Sequence, residues 1–412
     1  MDTAIVMYGP PAAGKDTVTA SLAGVDNKFR HYHRIKVGPG RTAGYRMAST
    51  ADLDHLTTAG EVIYSNSQYG STYLIDRVEL NRMLTASQIP VLHVGQPEAI
   101  GTLLAAAPAI RWVVVELWCP RDVAAERAAA RNTGDVTERL AAWDATPKLM
   151  VADVRIDTGS IDPAGAADQI VDAVRAAQSS IIVPAMHLVH PDGSLDLAAT
   201  HRHAVSAAAG WVDCFLINGS TTAGSELTSA ERTAVLDTWL NAVDPSRLLA
   251  CAWSCDDVAT AVDHDIRPMA VLQADTRPAA EQLLRTLPAG STIYSHPMFG
   301  CTFDAELAAW ARSADHLPSG GKLAKVSLTE IAEIRHAAPT FETWDGSSRR
   351  IRQSIDAGAA GVVATPLAAS LTELPPRSLA QIQRTVDGVQ AKLDQLPKRA
   401  AKRGWLLDQI QS

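Results

Sequence analysis

The stretch Lys322-Leu323-Ala324-Lys325-Val326-Ser327 decides how the second half of the chain is interpreted. It has the pattern of a short strand that carries a lysine, and a helical pattern begins at about Thr329. The same alternation of strand and helix starts at Ile181 and is repeated along the chain. Strands joined by helices pair in parallel, because each helix returns the chain to the end from which the last strand began. The pattern therefore predicts an α/β domain.

Eight strands are predicted in this half of the chain. They begin at Ile182, Val212, Leu248, Met269, Thr292, Leu323, Thr340 and Gly361. Eight strands with right-handed helical crossovers predict a closed (β/α)₈ TIM barrel, which holds its chemistry at the C-terminal ends of its strands. We place this domain at residues 181–412, with the barrel ending at about residue 370. The residues from about Leu374 are predicted to form two helices over a barrel flank or an oligomer contact.

Three polar stretches follow predicted strands of the barrel. They are the lysine stretch, Tyr294-Ser295-His296-Pro297 and Asn218-Gly219-Ser220-Thr221-Thr222. A lysine in an apolar strand is costly to keep charged, so its pKa falls and its neutral amine attacks a ketone to form a Schiff base. A tyrosine hydroxyl can then move protons, and hydroxyl and N–H donors can hold the carboxylate of a keto acid. The three stretches together predict amine catalysis on a keto acid.

Residues 181 to about 370 resemble the dihydrodipicolinate synthase / N-acetylneuraminate lyase family of class I aldolases. The resemblance rests on Asn218 to Glu231, Tyr294 to Pro297, Trp344 to Gly346 and Ala357 to Val363. It implies Lys325 as the Schiff-base lysine, because Lys-x-Ser before a helix is the family's spacing, and it leaves Lys322 as the rival. It also implies a proton shuttle and a carboxylate site, formed by Tyr294 and by Ser220 with Thr221. No cofactor is expected for the barrel.

Two departures from the family pattern bear on the substrate. Thr222-Ala223 replaces the family's Gly-Glu. Met298-Phe299-Gly300 follows Pro297 and supplies no arginine for a second carboxylate. We therefore expect a different aldehyde or keto acid from that of dihydrodipicolinate synthesis.

The first half of the chain begins with a different motif. An apolar strand, Ala4 to Tyr8, runs into Gly-Pro-Pro-Ala-Ala-Gly-Lys-Asp-Thr at residues 9–17, and a helical pattern follows. This is the G-x-x-x-x-G-K motif of a phosphate-binding loop, in which backbone N–H groups, a helix N-terminus and a lysine hold phosphates. The motif's nucleotide-binding candidates are Gly9, Gly14, Lys15, Asp16 and Thr17. Asp16 occupies the usual Ser/Thr position, so the metal-binding hydroxyl is assigned to Thr17.

Residues 1–178 resemble the guanylate kinase-like branch of the nucleoside monophosphate kinases, and within it ribose 1,5-bisphosphate phosphokinases. The resemblance rests on the loop above, Tyr69-Gly70-Ser71, Val123 to Leu140 and Val154 to Thr158. It implies a parallel-sheet kinase domain that uses ATP and Mg²⁺, with Lys15 and Thr17 serving the donor phosphates and the metal. The remaining implied roles are acceptor binding by Arg34, Arg41 and Tyr69, and a lid formed by Arg131 and Arg139.

Two positions of this half depart from the kinase pattern. Tyr64 lies where guanylate kinases have a guanine-reading glutamate, which argues against GMP as acceptor. His93 lies where many relatives place an acidic residue for magnesium. The domain could therefore bind a nucleotide as a sensor without turning it over.

Composition excludes several classes of protein. The 412 residues carry a net charge of −8 and show no dense basic face, which argues against nucleic-acid binding. No apolar run is long enough to span a membrane, and the N-terminus lacks the features of a secretory signal. Five cysteines, an odd number, favour reduced thiols and a cytoplasmic location.

The sequence therefore predicts a bifunctional fusion of a small-molecule kinase with a Schiff-base aldolase or lyase. Its partners would be small-molecule substrates, and the barrel family's habit suggests a homodimer or homotetramer. One alternative is an aldolase with a non-catalytic nucleotide-sensing domain. The other is a pseudoenzyme scaffold, in which no lysine would react with a keto acid.

Overall fold

The structure is a computed structural model that describes residues 2–40, 42–68, 70–131 and 134–411. The chain folds into two compact units. Unit 1 comprises residues 1–178 and 376–378, and unit 2 comprises residues 179–375 and 379–412.

Unit 1 contains two sheets and the helices that connect their strands. Its strands are β1 (Thr3–Tyr8), β2 (Phe29–His31), β3 (Ile35–Val37), β4 (Arg46–Met47), β5 (Val62–Gln68), β6 (Ser71–Asp76), β7 (Ile89–Val94), β8 (Arg111–Trp118) and β9 (Val154–Asp157). Its helices are α1 (Lys15–Val25), α2 (Thr50–Thr58), α3 (Arg77–Thr85), α4 (Pro97–Ala106), α5 (Arg121–Ala130), α6 (Val136–Asp144) and α7 (Pro163–Gln178).

The larger sheet of unit 1 has five parallel strands in the order β2-β7-β1-β8-β9. Its central strand, β1, is buried along its whole length. Ile5 and Met7 of this strand pack into one apolar cluster, and Val6 and Tyr8 pack into another. Alternate residues of a strand face opposite sides of a sheet, so β1 joins both layers of the core. The loop after β1 therefore leaves a fixed sheet edge and enters α1.

A second, four-stranded sheet is formed by the chain between β2 and α3. Its order is β4-β3-β6-β5, with antiparallel pairing of β3 with β6 and of β6 with β5. β3 and β4 are parallel. This sheet carries the predicted acceptor residue Arg34 just before β3.

Unit 2 contains ten strands and nine α-helices within its described residues. Its strands are β10 (Ser180–Pro184), β11 (Leu188–Val189), β12 (Leu195–Asp196), β13 (Cys214–Ile217), β14 (Leu248–Ala252), β15 (Arg267–Val271), β16 (Thr292–Ser295), β17 (Gly320–Leu323), β18 (Glu342–Asp345) and β19 (Gly361–Val363). Its helices are α8 (Leu197–Ala208), α9 (Ser229–Leu240), α10 (Cys255–Asp263), α11 (Arg277–Thr286), α12 (Ala305–Ser313), α13 (Leu328–Ala337), α14 (Ile351–Asp356), α15 (Leu379–Asp394) and α16 (Arg399–Gln411).

Eight of these strands close into a parallel barrel, in the order β10-β13-β14-β15-β16-β17-β18-β19. The first strand pairs with the last, with Ser180 opposite Gly361. The predicted (β/α)₈ barrel is therefore confirmed. The two short strands β11 and β12 form a separate antiparallel pair.

Every predicted barrel strand begins within three residues of an observed one, but the sixth is misplaced in a way that matters. It was predicted to begin at Leu323, whereas β17 ends at that residue. A strand that ends at Leu323 contains Lys322 and excludes Lys325.

The interior of the barrel is filled by one buried cluster, to which seven of the eight strands contribute. Its members are Ile182, Cys214, Leu216, Leu249, Cys251, Met269, Val271, Tyr294, Trp344 and Val363. The remaining strand, β17, contributes no residue to this buried apolar set. Lys322 is the residue of β17 whose pairing places it beside the cluster.

Two further observations bear on the class of protein. All five cysteines are free thiols, and three of them are buried. Among the helices of the described residues, none is both long and apolar enough to cross a lipid bilayer.

Candidate active site

Lys322 points into the barrel. Its neighbours across the two adjacent strand pairs are Tyr294 on β16 and Trp344 on β18. Paired residues of neighbouring strands point to the same face of a sheet, and Tyr294 and Trp344 both belong to the interior cluster. The register of three strands therefore aims the lysine at the barrel axis.

The ammonium of Lys322 is buried without a charged partner. The residue is 6% exposed, and its Nζ lies 4.3 Å from the centre of the Tyr294 ring. Among the described residues it forms no ion pair, and its ammonium makes a cation–π contact with this ring. Burial lowers its pKa to about 8, and the positive charge of Arg399 acts in the same direction, whereas Cys251 acts in the opposite one. At neutral pH a useful fraction of this amine is unprotonated and nucleophilic.

Lys325 occupies a different position. It lies two residues beyond the end of β17, is exposed, and has a left-handed backbone with φ of 60°. The prediction that the apolar strand carries Lys325 is wrong, because the strand ends before this residue. Lys325 lines the rim of the same cavity as Lys322. Its charge therefore acts on the cavity from a position in contact with water.

Tyr294 and Ser220 are brought together as the sequence predicted for parts of one site. The Tyr294 hydroxyl lies 3.0 Å from the Ser220 hydroxyl, and the two oxygens share a hydrogen bond. Burial raises the pKa of Tyr294, so its hydroxyl keeps its proton at neutral pH. The pair forms a short hydroxyl chain beside the Lys322 amine.

The turn that carries Ser220 is fixed by close packing of its backbone. It forms a short 3₁₀ helix, Ser220–Thr222, and Ala223 follows it in a left-handed conformation. A Cβ added to Gly224 would lie 1.9 Å from the carbonyl oxygen of Asn218, so only glycine fits there. The next member of the turn, Thr221, has its hydroxyl 3.5 Å from that of Thr365. The turn thus offers several hydroxyl groups at the C-terminal end of β13.

A cavity of about 580 Å³ connects these groups. Lys322, Tyr294, Ser220 and Thr221 line it together with residues after β18 and β19 and residues of α15 and α16. The predicted C-terminal helices therefore contribute to the cavity wall. This volume suits a small-molecule substrate.

Two residues that the sequence analysis did not select also line this cavity. Thr365 follows β19, and its place just past a barrel strand is the signal that marks it. His296 follows Tyr294, and its Nδ1 accepts a hydrogen bond of 2.9 Å from the Met298 N–H. Burial, with the charge of Lys325 adding to it, lowers the pKa of His296.

The end of β18 is held by a buried carboxylate, for which the sequence predicted no role. Asp345 is fully buried and accepts a hydrogen bond of 2.6 Å from the Ser354 hydroxyl. Arg350 lies 3.3 Å from the same carboxylate and also donates to the carbonyl of Val326. This network ties the segment after β17 to the segment after β18.

In unit 1, the predicted phosphate-binding loop connects β1 to α1. Gly9 and Gly14 have positive φ values of 155° and 86°, and a Cβ on Gly9 would lie 2.2 Å from the carbonyl oxygen of Leu117. The Lys15 ammonium donates to the carbonyls of Gly9 and Pro10, at 2.6 and 2.9 Å. Burial lowers the pKa of Lys15 to about 8. The backbone of the loop thus surrounds the Lys15 ammonium.

A charged cluster adjoins the start of α1. The Asp16 carboxylate lies 3.5 Å from His93 Nδ1 and 3.9 Å from the Arg131 guanidinium. The hydrogen bond with His93 holds the pKa of Asp16 well below its usual range. The other ring nitrogen of His93 lies 2.7 Å from the Thr19 hydroxyl. The structure therefore pairs two of the residues at which this chain departs from the kinase pattern, Asp16 and His93.

A cavity of about 550 Å³ lies beside the loop and is lined by Gly14, Thr17, Arg131 and the residues after β9. Arg127 lines it too, and donates to the carbonyl of Ala12 and to Thr158. The carbonyl, hydroxyl and cationic groups of this wall fit a nucleotide bound to magnesium, with Thr17 as the metal-ligand candidate. The described residues contain no cluster of three or more His, Cys, Asp or Glu side chains suited to a metal.

The other predicted residues of unit 1 are placed less closely together. Arg34 lies over the Tyr73 ring, 5.3 Å from its centre, on the smaller sheet. Arg139 of α6 forms an ion pair of 2.8 Å with Asp135, the residue just before that helix. Arg41 and Tyr69 lie outside the described residues.

Comparisons with known proteins give weak similarities only. No family model matches the chain, and no curated protein matches it. Solved structures similar to it include 2-keto 3-deoxygluconate aldolase from Picrophilus torridus, at 16% identity and a TM-score of 0.49, covering 57% of this chain and 93% of that one. Dihydrodipicolinate synthase from Agrobacterium tumefaciens has 19% sequence identity and a TM-score of 0.45, and the match covers 54% of this chain and 85% of that one. Dihydrodipicolinate synthase from Thermotoga maritima has 18% sequence identity and a TM-score of 0.44, and the match covers 53% of this chain and 81% of that one.

These matches are below 25% identity and below a TM-score of 0.5, so they carry no argument about the reaction of this chain.

Proposed function

We propose that unit 2 is a class I aldolase or lyase that forms a Schiff base with a 2-keto acid through Lys322. The observation that carries the proposal is the buried, unpaired amine of Lys322, 4.3 Å from the Tyr294 ring at the base of a cavity. A buried lysine without a counter-charge is costly for the fold, and a reaction that needs a neutral amine explains why it is present. This proposal replaces the assignment of the same role to Lys325.

The chemistry starts with the neutral amine. Its nitrogen attacks the carbonyl carbon of the keto acid, and the carbonyl oxygen gains protons and leaves as water. The protonated imine that remains draws electrons from the adjacent carbon, so a C–C bond there can form or break. Tyr294 and Ser220, joined by their hydrogen bond, would carry the protons that these steps release and consume. The hydroxyls of Thr221 and Thr365 would hold the carboxylate of the substrate.

The test is chemical trapping of the imine. The protein is incubated with pyruvate and then with longer 2-keto acids, reduced with borohydride, and digested for mass spectrometry. We expect the adduct on Lys322, and we expect Lys322→Ala to abolish it.

Lys325→Ala is the matched control, because it removes a lysine from the rim of the same cavity. It should still give the Lys322 adduct. An adduct on Lys325 would restore the assignment made from the sequence. No adduct with any keto acid would support the scaffold alternative.

We propose that the reaction is not dihydrodipicolinate synthesis itself. Met298 and Phe299 lie in the short helix after β16, where the resembled family would need an arginine. The Phe299 ring lies 5.4 Å from the Tyr294 ring, and neither side chain supplies a cation for a carboxylate. We therefore propose an aldehyde or keto acid without a second carboxylate at this position.

For unit 1 we propose ATP-dependent phosphoryl transfer to a small molecule. The supporting observation is the Lys15 ammonium, which lies inside a loop of left-handed glycines at the start of α1. When bound, magnesium would neutralise charge on the transferring phosphates, and Thr17 would be its protein ligand. Lys15 would hold the donor phosphates and Arg131 would close over them. Both activities suit a cytoplasmic enzyme.

Consumption of ATP in the presence of magnesium and candidate sugar phosphates tests the kinase. Lys15→Ala should abolish it. Binding of ATP without turnover, together with a change in the rate of imine trapping, would instead support the nucleotide-sensing alternative.

A further inference from the structure

The cavity above Lys322 is lined by cations and by no acidic residue. Among its described lining residues, seven are lysine or arginine and none is aspartate or glutamate, although the whole chain has a net charge of −8. The seven are Lys322, Lys325, Arg349, Arg350, Arg399, Lys402 and Arg403. Crowded like charges repel one another and weaken the folded state, so such a cavity favours an anionic occupant.

Only part of this charge is neutralised within the unit. Three of the cations have a carboxylate within 4.0 Å, in the pairs Arg349–Asp394, Arg350–Asp345 and Arg403–Glu226. Apart from Lys322, the cations without such a partner among the described residues are Lys325, Arg399 and Lys402. Two of these three lie on α16, and the third lies on the rim just past β17. Positive charge without a carboxylate within 4.0 Å is therefore concentrated at the mouth of the cavity, where Lys402 still interacts over a longer distance with Asp394.

Helix α16 carries its cations at the end where a helix tolerates them least. Arg399, Lys402 and Arg403 lie within its first five residues, and its first turn has no acidic residue. The N-terminus of a helix is its positive end, so acidic groups stabilise it and basic groups do not. An anion bound at this point would reduce the repulsion among the basic side chains. It would also offset their unfavourable interaction with the positive end of the helix.

A second observation points to a ligand in this cavity. Lys322, which lines the same space, is 6% exposed and has no ion-pair partner among the described residues. The charge of Arg399 lowers the pKa of both Lys322 and His296, which shows that Arg399 acts on the interior of the cavity. The hydroxyl groups of the turn after β13 are already assigned to the carboxylate of the keto acid. The cations at the mouth remain for another group of the same molecule.

We propose that the barrel acts on a 2-keto acid that carries a phosphate ester at its far end, and that Lys325, Arg399 and Lys402 bind this phosphate. The inference rests on the proposed Schiff-base function, because it names the class of substrate for that site. A phosphate ester carries about 1.5 to 2 negative charges and three acceptor oxygens at neutral pH, which matches three unpaired cations better than a single carboxylate does. A phosphoryl transfer must supply such a substrate, and that is the class of reaction proposed for unit 1.

The first experiment compares two trapping probes in two charge-matched variants. The probes are a 2-keto acid that ends in a phosphate ester and its unphosphorylated counterpart. In Arg399→Gln/Lys402→Gln, we expect the concentration of phosphorylated probe for half-maximal trapping to rise about 10- to 100-fold, as loss of two charge-assisted contacts implies. Because the charge of Arg399 also lowers the pKa of Lys322, trapping of the unphosphorylated probe should change too, but by much less than trapping of the phosphorylated one. Lys392→Gln/Lys398→Gln removes the same charge from exposed lysines that do not line the cavity, and it should affect neither probe.

The second experiment measures binding of inorganic phosphate by calorimetry. It uses Lys15→Ala protein, so that the loop of unit 1 contributes little. Arg399→Gln/Lys402→Gln in that background should weaken phosphate binding about 10-fold or more, and Lys392→Gln/Lys398→Gln should not.

The outcomes separate the two proposals. If no keto acid is trapped but phosphate binding depends on Arg399 and Lys402, the Schiff-base function fails and the anion site stands. If trapping occurs at Lys322 but both charge variants behave alike, the phosphate site is overturned and the Schiff-base function stands. An equal preference for a counterpart that ends in a carboxylate would overturn the choice of phosphate.

Discussion

Burial of Lys322 makes its reactivity depend on pH. Its pKa is lowered to about 8 from the usual 10.5, and only the unprotonated amine attacks a carbonyl. We expect the initial rate of imine formation with pyruvate to rise about tenfold per unit of pH below about 8, and to level above it. Timed borohydride quenching across this range measures the rate. A rate that keeps rising towards pH 10 would show that the reacting lysine is not this buried one.

The same burial lowers the stability of the protein at neutral pH. The folded-state pKa of about 8 lies below the unfolded value of 10.5, so the unfolded state binds more protons between these values and folding stability rises with pH across that window. The full penalty, about 3 kcal/mol, is present below pH 8. We therefore expect Lys322→Met to stabilise the barrel by up to about this amount at pH 7, as measured by urea unfolding.

At pH values well above the unfolded pKa of 10.5, the stabilising effect of Lys322→Met should disappear, because the wild-type amine is then neutral in both states. Lys325→Met is the control, and it should change stability little at any pH, since Lys325 is already exposed. Equal stabilisation by both variants would contradict the difference in burial.

The position of β17 shows where prediction from the sequence failed. A lysine in an apolar strand was predictable, and the structure places Lys322 rather than Lys325 in that strand. The register was not, because Gly320 and Gly321 obscure the start of β17. Glycine weakens a strand pattern, yet here a Cβ on Gly321 would lie 2.6 Å from an Ile293 side-chain carbon, so close packing of neighbouring strands requires it. The sequence pattern does not reveal this contact. It therefore places the start of the strand three residues too late, at Leu323 instead of Gly320.

At the scale of elements, the turn after β13 positions the hydroxyl groups of the site. Because a Cβ on Gly224 would lie 1.9 Å from the Asn218 carbonyl oxygen, Gly224→Ala must move the backbone that carries Ser220 and Thr221. We expect Gly224→Ala to lower kcat/KM at least tenfold, mainly through KM for the keto acid, while borohydride still labels Lys322. Steady-state kinetics and trapping measure the two effects.

Gly388→Ala is the matched control for this change. Gly388 lies within α15, where an added Cβ meets no atom within 4 Å. That substitution should leave kinetics unchanged and raise stability slightly, since alanine favours a helix over glycine. Loss of the Lys322 adduct in Gly224→Ala would show a wider collapse of the site.

The helices were easier to predict than the contacts between the turns that follow different strands. Local signals mark several helix starts, such as the capping boxes of Ser327 with Glu330 and Thr228 with Glu231. The approach of Thr221 to Thr365 joins residues far apart in the chain, and it depends on closure of the barrel. No local pattern encodes such a distance, so Thr365 was missed although its place past a strand follows the rule for barrel chemistry.

At the scale of the whole molecule, the two proposed activities lie in separate units. Lys15 and Lys322 belong to units 1 and 2, respectively. We expect Lys15→Ala to abolish magnesium-dependent ATP consumption and leave trapping at Lys322 intact, and Lys322→Ala to do the reverse. Assay of both activities on each variant checks this. A loss of both activities in either variant would show that the two sites depend on each other.

The closure of the barrel has a consequence for synthesis of the protein. Ser180 and Gly361, which pair to join the first and last strands, are 181 residues apart in the sequence. At about 5 to 20 residues per second, the ribosome needs roughly 10 to 40 s to make the segment between them. During that interval the nascent first strand has an unpaired edge that can associate with other chains. Slower growth at low temperature and chaperone capacity, rather than the stability of the finished fold, should therefore determine how much protein a cell accumulates.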